Sequence, residues 1–212
     1  MDDAIRTLQS DRPNFVIHLS DAVCYMTAAG RLLKQIYLRR FHVTRTAHLL
    51  HNCTKKVRAH FSDVDNLIAR VKSAVVKNKD RKEEFAAVGY PPQPIVTRWA
   101  SWLNAAFYYA DNLPEVKRIV GEFQGDGLLV TRAKEAIASV HLAKDLLSID
   151  RDYKCLIELV TKCESCTYSI SDAFNDLKSL SFGSDPCGIA SYLERRLEQN
   201  KDIKQIMDQC RS

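Results

Sequence analysis

Residues 15–22 read Phe15-Val16-Ile17-His18-Leu19-Ser20-Asp21-Ala22, and this stretch decides the fold class. Phe15, Val16, Ile17 and Leu19 suit a buried strand. Ser20, Asp21 and Ala22 then take the chain out of that strand and into a helical pattern. Ligands of α/β folds bind in the crevice at the carboxyl ends of strands. Asp21 is therefore the first residue to examine for chemistry, with helix N-capping as its structural alternative.

Downstream, Val23, Met26, Ala29, Leu33, Ile36 and Tyr37 recur at spacings of three and four, which predicts a helix over 22–38. Phe41-His42-Val43-Thr44 reads as a second short strand. A strand, a helix and a strand within about thirty residues form a βαβ unit, so the two strands should run parallel. Thr44 or Thr46 can cap a further helix to about His60, with Leu49, Leu50, Cys53 and Val57 on one face. Ser62-Asp63-Val64-Asp65 resembles a capping box. It opens a helix with Val64, Leu67, Ile68, Val71 and Val75 inward.

A short helical stretch over 82–88 is closed by Gly89. Tyr90-Pro91-Pro92-Gln93-Pro94 starts a proline-rich, extended segment over 90–97. Beyond it everything reads helical. Trp102, Leu103, Ala106, Phe107 and Ala110 make a stripe, which Asn112-Leu113-Pro114 is expected to break. After a turn at Gly125-Asp126-Gly127, two long helices are expected at about 128–148 and 152–180, and after a second turn at 182–186 one or two more at about 187–210.

The expected fold class is mainly α with a small α/β part: an α/β fragment over 1–60 and a helical domain over 61–212. Two strands make a poor sheet, since a typical sheet has about five. The first strand is also too apolar for an edge. A protein partner or a second copy is expected to complete it.

Charge is unevenly spread. Between Arg31 and Lys82 lie fourteen cations (Arg31, Lys34, Arg39, Arg40, Arg45, Lys55, Lys56, Arg58, Arg70, Lys72, Lys77, Lys79, Arg81, Lys82) against the three acids Asp63, Asp65 and Asp80. A basic segment next to a strand-end carboxylate suits a polyanion such as DNA, with a solvated helix face as the alternative. Lys55, Lys56 and Arg58 form one cluster within it. No apolar run approaches the roughly 20 residues of a membrane span. The acidic start Met1-Asp2-Asp3-Ala4 lacks a secretory-signal pattern. The expectation is a nuclear or cytoplasmic protein, neither secreted nor membrane-bound. Its seven cysteines show no framework spacing and are expected as free thiols.

His48-x-x-His51-x-Cys53 has one helical ligand pair but no second pair at zinc-site spacing. Cys163-Glu164-Ser165-Cys166 falls inside a helical pattern and not at a helix N-terminus, so packed thiols are favoured over redox chemistry. Trp99 and Trp102 at a helix head, beside Arg98, fit a core pair or a stacking platform for a base.

Three quoted stretches carry a resemblance: Ser20-Asp21-Ala22, then 42–51 (HVTRTAHLLH), then 91–106 (PPQPIVTRWASWLNAA). In order and spacing they resemble the hAT-type DNA transposases, with Thr97-Arg98-Trp99 after the prolines as the most specific part. The resemblance implies an RNase H-like core interrupted by an all-helical insertion. It also implies Mg²⁺-dependent strand cleavage and transfer, with three carboxylates holding two metal ions. Asp21 matches the family's second catalytic Asp. Arg45-Thr46-Ala47-His48 matches its Cys-x-x-His with the Cys replaced and His48 kept. Arg98-Trp99 matches the Arg-Trp at the head of the insertion, where the Trp handles a flipped base.

The other two carboxylates have no counterpart at family positions. Asp2, Asp3 and Asp11 are not credible substitutes for the first. Glu194 and Glu198 lie in a terminal helix without the family's returning core. A lone carboxylate cannot hold two metals. The expectation is therefore a truncated or domesticated transposase-derived protein without catalytic activity and without a cofactor, Mg²⁺ belonging only to a complete site. Asp21 is then a relic, and DNA binding falls to Arg98, Trp99, Lys55, Lys56 and Arg58. The alternatives are a helical protein-interaction module and a fragment of an active metal-dependent strand-transferase.

Overall fold

The computed structural model describes residues 16–20, 28–30, 32, 33, 35, 40–44, 46–76, 78–95, 100–125, 127–165 and 167–199. Among these the chain is mostly helical. Strand β1 (Val16–Ser20) pairs in parallel with β2 (Arg40–Thr44), Ile17 opposite Phe41 and Leu19 opposite Val43. The residues described between them, Ala28–Gly30, Leu32, Leu33 and Gln35, are helical. Two paired strands do not by themselves identify an RNase H-like sheet.

Eight helices follow among the described residues: α1 (Thr46–His60), α2 (Ser62–Val76), α3 (Lys79–Glu84), α4 (Ser101–Glu122), α5 (Leu128–Ile137), α6 (Leu142–Cys163), α7 (Ile170–Ser179) and α8 (Ile189–Gln199). The chain divides into two compact units, one of residues 1–49 with 194–212, the other of residues 50–193. The cut falls inside α1, not at residue 60. The reason is that α1 runs almost directly into α2: the Phe61 amide donates to the Val57 carbonyl, and the Asp65 amide to the Phe61 carbonyl. Leu50, Cys53, Val57 and Phe61 form one buried stripe through this joint.

In the second unit α4 packs on α6, and α2 packs on α5. The centre is filled by Tyr109, Tyr153, Phe85, Phe123, Leu67 and Leu103, all fully buried. Tyr153 meets Phe61 edge-on at 6.3 Å and Phe182 at 5.9 Å. Such aromatic pairs add about 0.5–1.5 kcal/mol beyond the area they bury.

Three helix limits differ from expectation. Pro114 does not break α4, which runs through it for 22 residues. Leu113, Val116, Ile119 and Val120 continue the buried stripe of Ala106 and Tyr109. Packing along that face outweighs the roughly 3 kcal/mol cost of an interior proline.

The helix expected at 128–148 is two helices. Buried positions run Val130, Ala133, Ile137 and then Leu142, Leu146, Ile149. The step of five from 137 to 142 breaks the three-and-four phase, and Val140 in the gap is 87% exposed.

The helix expected at 152–180 also divides. Ser169 accepts from the Asp172 amide at 3.0 Å and donates to its carboxylate at 2.7 Å. That cap starts α7 anew.

The loop before α8 is pinned to α6. Asp152 is buried and takes the Arg151 guanidinium at 2.6 and 2.8 Å and the Ser184 hydroxyl at 2.8 Å. Asp185 accepts from the Tyr153 hydroxyl at 3.2 Å and caps α8 through the amides of Ile189 and Ala190 at 2.9 and 2.8 Å. Gly183 lies so close that a Cβ there would collide with the Asp152 carboxylate. Gly183→Ala is expected to cost about 1–3 kcal/mol in chemical denaturation, as overpacking does. An unchanged midpoint would contradict this packing.

The Arg151 and Ser184 hydrogen bonds hold the Asp152 carboxyl down to about 2, against 3.8 when free. A depressed carboxylate stabilises the fold above its unfolded pKa and stops doing so as pH falls through the folded value. Asp152→Asn is therefore expected to remove the part of the stability loss that falls between about pH 4 and pH 2. Thermal melts across that window check it.

Candidate nucleic-acid interface

The described part of the candidate interface is built on α1. Leu50, Cys53 and Val57 turn its apolar face inward, which leaves Lys55, Lys56 and Arg58 on the solvent side. Their availability differs. Lys55 is exposed and has no hydrogen-bond or ion-pair partner among the described residues. Lys56 stands 5.4 Å from the centroid of the Tyr192 ring, a cation–π distance that leaves the ammonium open to solvent. Arg58 is spent: its guanidinium meets both oxygens of Asp65 at 2.8 and 3.3 Å. The effective positive charge on this face is thus Lys55 and Lys56.

Asp65 also accepts from the Trp102 indole N–H at 2.9 Å. Trp102 is 4% exposed, so it is a core residue and not a stacking platform. Asp21, Arg98 and Trp99 lie outside the described residues, as do Arg45 and Cys166. The backbone on either side of 96–99 is fixed. The Ile95 amide donates to the Ser101 hydroxyl at 3.0 Å, and that hydroxyl donates to the Ile95 carbonyl at 2.9 Å. Ala100, the N-cap residue before α4, has φ 61°. This left-handed conformation costs a residue with a Cβ about 1–2 kcal/mol.

His48 is half-buried in the first turn of α1, and His51 is half-buried one turn on. Cys53 is fully buried, and burial pushes its thiol up to about 12, so it stays protonated. Among the described residues no three or more His, Cys, Asp or Glu side chains are grouped to hold a metal ion. Cys163 is the last residue of α6, a correction to its expected place inside a longer helix. Burial and the nearby Asp176 raise its thiol to about 11. A helix C-terminus disfavours the thiolate further.

No helix among the described residues is long and apolar enough to cross a membrane. The sequence reading missed one cation, Arg132, which shares a groove with Arg70 across α2 and α5. The signal was present as matching three-and-four spacings of polar residues, 63-66-70 and 132-135-139.

Removing the Asp65 carboxylate leaves the buried Trp102 N–H without an acceptor. Asp65→Ala is expected to cost about 1–3 kcal/mol in urea denaturation, and Arg58→Ala less than about 1 kcal/mol. Equal costs would show that the exposed ion pair, and not the indole bond, carries the contact. No family model matches the chain, and no curated protein or solved structure does either.

Proposed function

We propose that this chain is a transposase-derived DNA-binding protein without strand-transfer activity. The observation that supports the reading is the parallel pairing of β1 with β2 across a helical connection, followed by a mostly helical chain among the described residues. A βαβ start followed by helices is what the resemblance to hAT-type transposases implies for this part of the chain. Within the helical unit Lys55 and Lys56 supply open positive charge, which suits phosphate contacts that bind without reading sequence. Arg98-Trp99 is the element proposed to meet a base. The absence of catalysis rests on the sequence alone: Asp21 is the one carboxylate of three with a family position. Mg²⁺ would belong only to a completed site.

A second reading, a protein-interaction module, is favoured by exposed apolar residues on and next to α6. Val140 is 87% exposed and Leu147 65%. It predicts a concentration-dependent oligomer in light scattering that Leu147→Lys disperses, together with no affinity for DNA.

The DNA reading is tested by a salt titration. Log affinity should fall linearly with log salt, and Lys55→Ala with Lys56→Ala should lower the slope by roughly two contacts. A duplex incubated with the chain and Mg²⁺ should stay intact. No binding at low salt would remove the DNA reading, and cleavage would remove its non-catalytic part.

A further inference from the structure

The groove between α2 and α5 has no place in the DNA reading, and its charges are arranged unusually. Ser139, just past the end of α5, donates to Asp63 at the start of α2 at 2.6 Å. The two helices pack along their length. Both facts hold together only if the helices run antiparallel. Arg70, two turns along α2 from Asp63, then stands across from Arg132, two turns back along α5 from Ser139. Asn66 and Glu135 line the groove between these ends.

Neither arginine has a hydrogen-bond or ion-pair partner among the described residues. Asp63, the acid at the far end, is engaged by Ser139. Arg70 and Arg132 line the same groove as the Asp63 and Glu135 carboxylates, and an anion bound between the two guanidinium groups would satisfy both forks. The groove is open to solvent and has a volume of about 360 Å³.

We infer that this groove is a binding site for a phosphomonoester carried on a hydroxyl-bearing sugar, with the phosphate between Arg70 and Arg132. A carboxylate has two oxygens and is satisfied by a single fork. A phosphomonoester has three terminal oxygens and close to two negative charges, enough for both. Phosphate alone would leave most of the groove unfilled. The Asn66 amide and the Glu135 carboxylate lie further along, where sugar hydroxyls would find both a donor and an acceptor. A free sugar phosphate and the 5′-phosphorylated end of a nucleic-acid strand offer the same chemistry.

The test is NMR titration of the full chain with ribose 5-phosphate, with ribose, and with a short single-stranded oligonucleotide bearing or lacking a 5′-phosphate. Ribose 5-phosphate or the phosphorylated oligonucleotide should shift amides of α2 and α5, while ribose and the unphosphorylated strand should not. Whichever ligand binds more tightly identifies the source of the phosphate. Arg132→Ala, at an exposed position, should weaken binding about tenfold or more, the loss of one charge-assisted fork. Arg70→Ala should do the same, and Lys55→Ala should leave it unchanged. The inference is overturned by three results: no shifts with either phosphorylated probe, equal shifts without the phosphate, or equal losses in Arg132→Ala and Lys55→Ala. The last would mark binding to any surface cation. Loss of duplex binding in Lys55→Ala with the groove intact would bear only on the DNA reading.

Discussion

One carboxylate, Asp65, joins three helices. It sits in the first turn of α2, where a negative charge is favoured by the helix dipole. From there it receives the Arg58 guanidinium from the end of α1 and the Trp102 indole from the start of α4. The two contacts differ in weight. The Arg58 pair is half in water, and such pairs contribute about 1 kcal/mol or less. The indole N–H is buried, and a buried donor left unmet costs about 1–3 kcal/mol. The indole bond therefore sets where α4 begins against α2, and α4 in turn supplies the face on which α6 packs. The same carboxylate also weakens the basic surface, because the cation nearest the α1–α2 joint is neutralised by it.

The rest of the helical unit shows a similar economy of polar groups. Three buried or half-buried acids close junctions: Asp63 the end of α5, Asp152 the loop at Ser184, Asp185 the start of α8. Arg70 and Arg132 stand outside this pattern. Both line one groove and have no hydrogen-bond or ion-pair partner among the described residues, which leaves them available for an outside anion.

Much of the helical pattern was legible in the sequence. The stripe Val64, Leu67, Ile68, Val71 and Val75 is buried as its spacing requires. The two strands and their parallel pairing followed from a βαβ length and from apolar runs. What failed was punctuation. Pro114 was given a local weight that packing overrode. The five-residue step between Ile137 and Leu142 and the Ser169-x-x-Asp172 cap were both in the sequence, and each marks a break more surely than a missing glycine marks continuity. The role of Arg58 was not legible. Whether a surface cation is open depends on an acid seven residues away across a helix joint, and spacing alone does not reveal that pairing. Arg132 was missed because its partner face lies some sixty residues earlier in the chain, on another helix.

If the chain binds DNA as proposed, the duplex lies on the solvent face of α1. Hydrogen–deuterium exchange of the full chain, with and without a duplex at low salt, tests this directly. The expected result is slowed exchange concentrated in the peptides that hold Lys55 and Lys56, reversed by added salt. Unchanged exchange across α1, with the duplex bound and protection elsewhere in the chain, would contradict it.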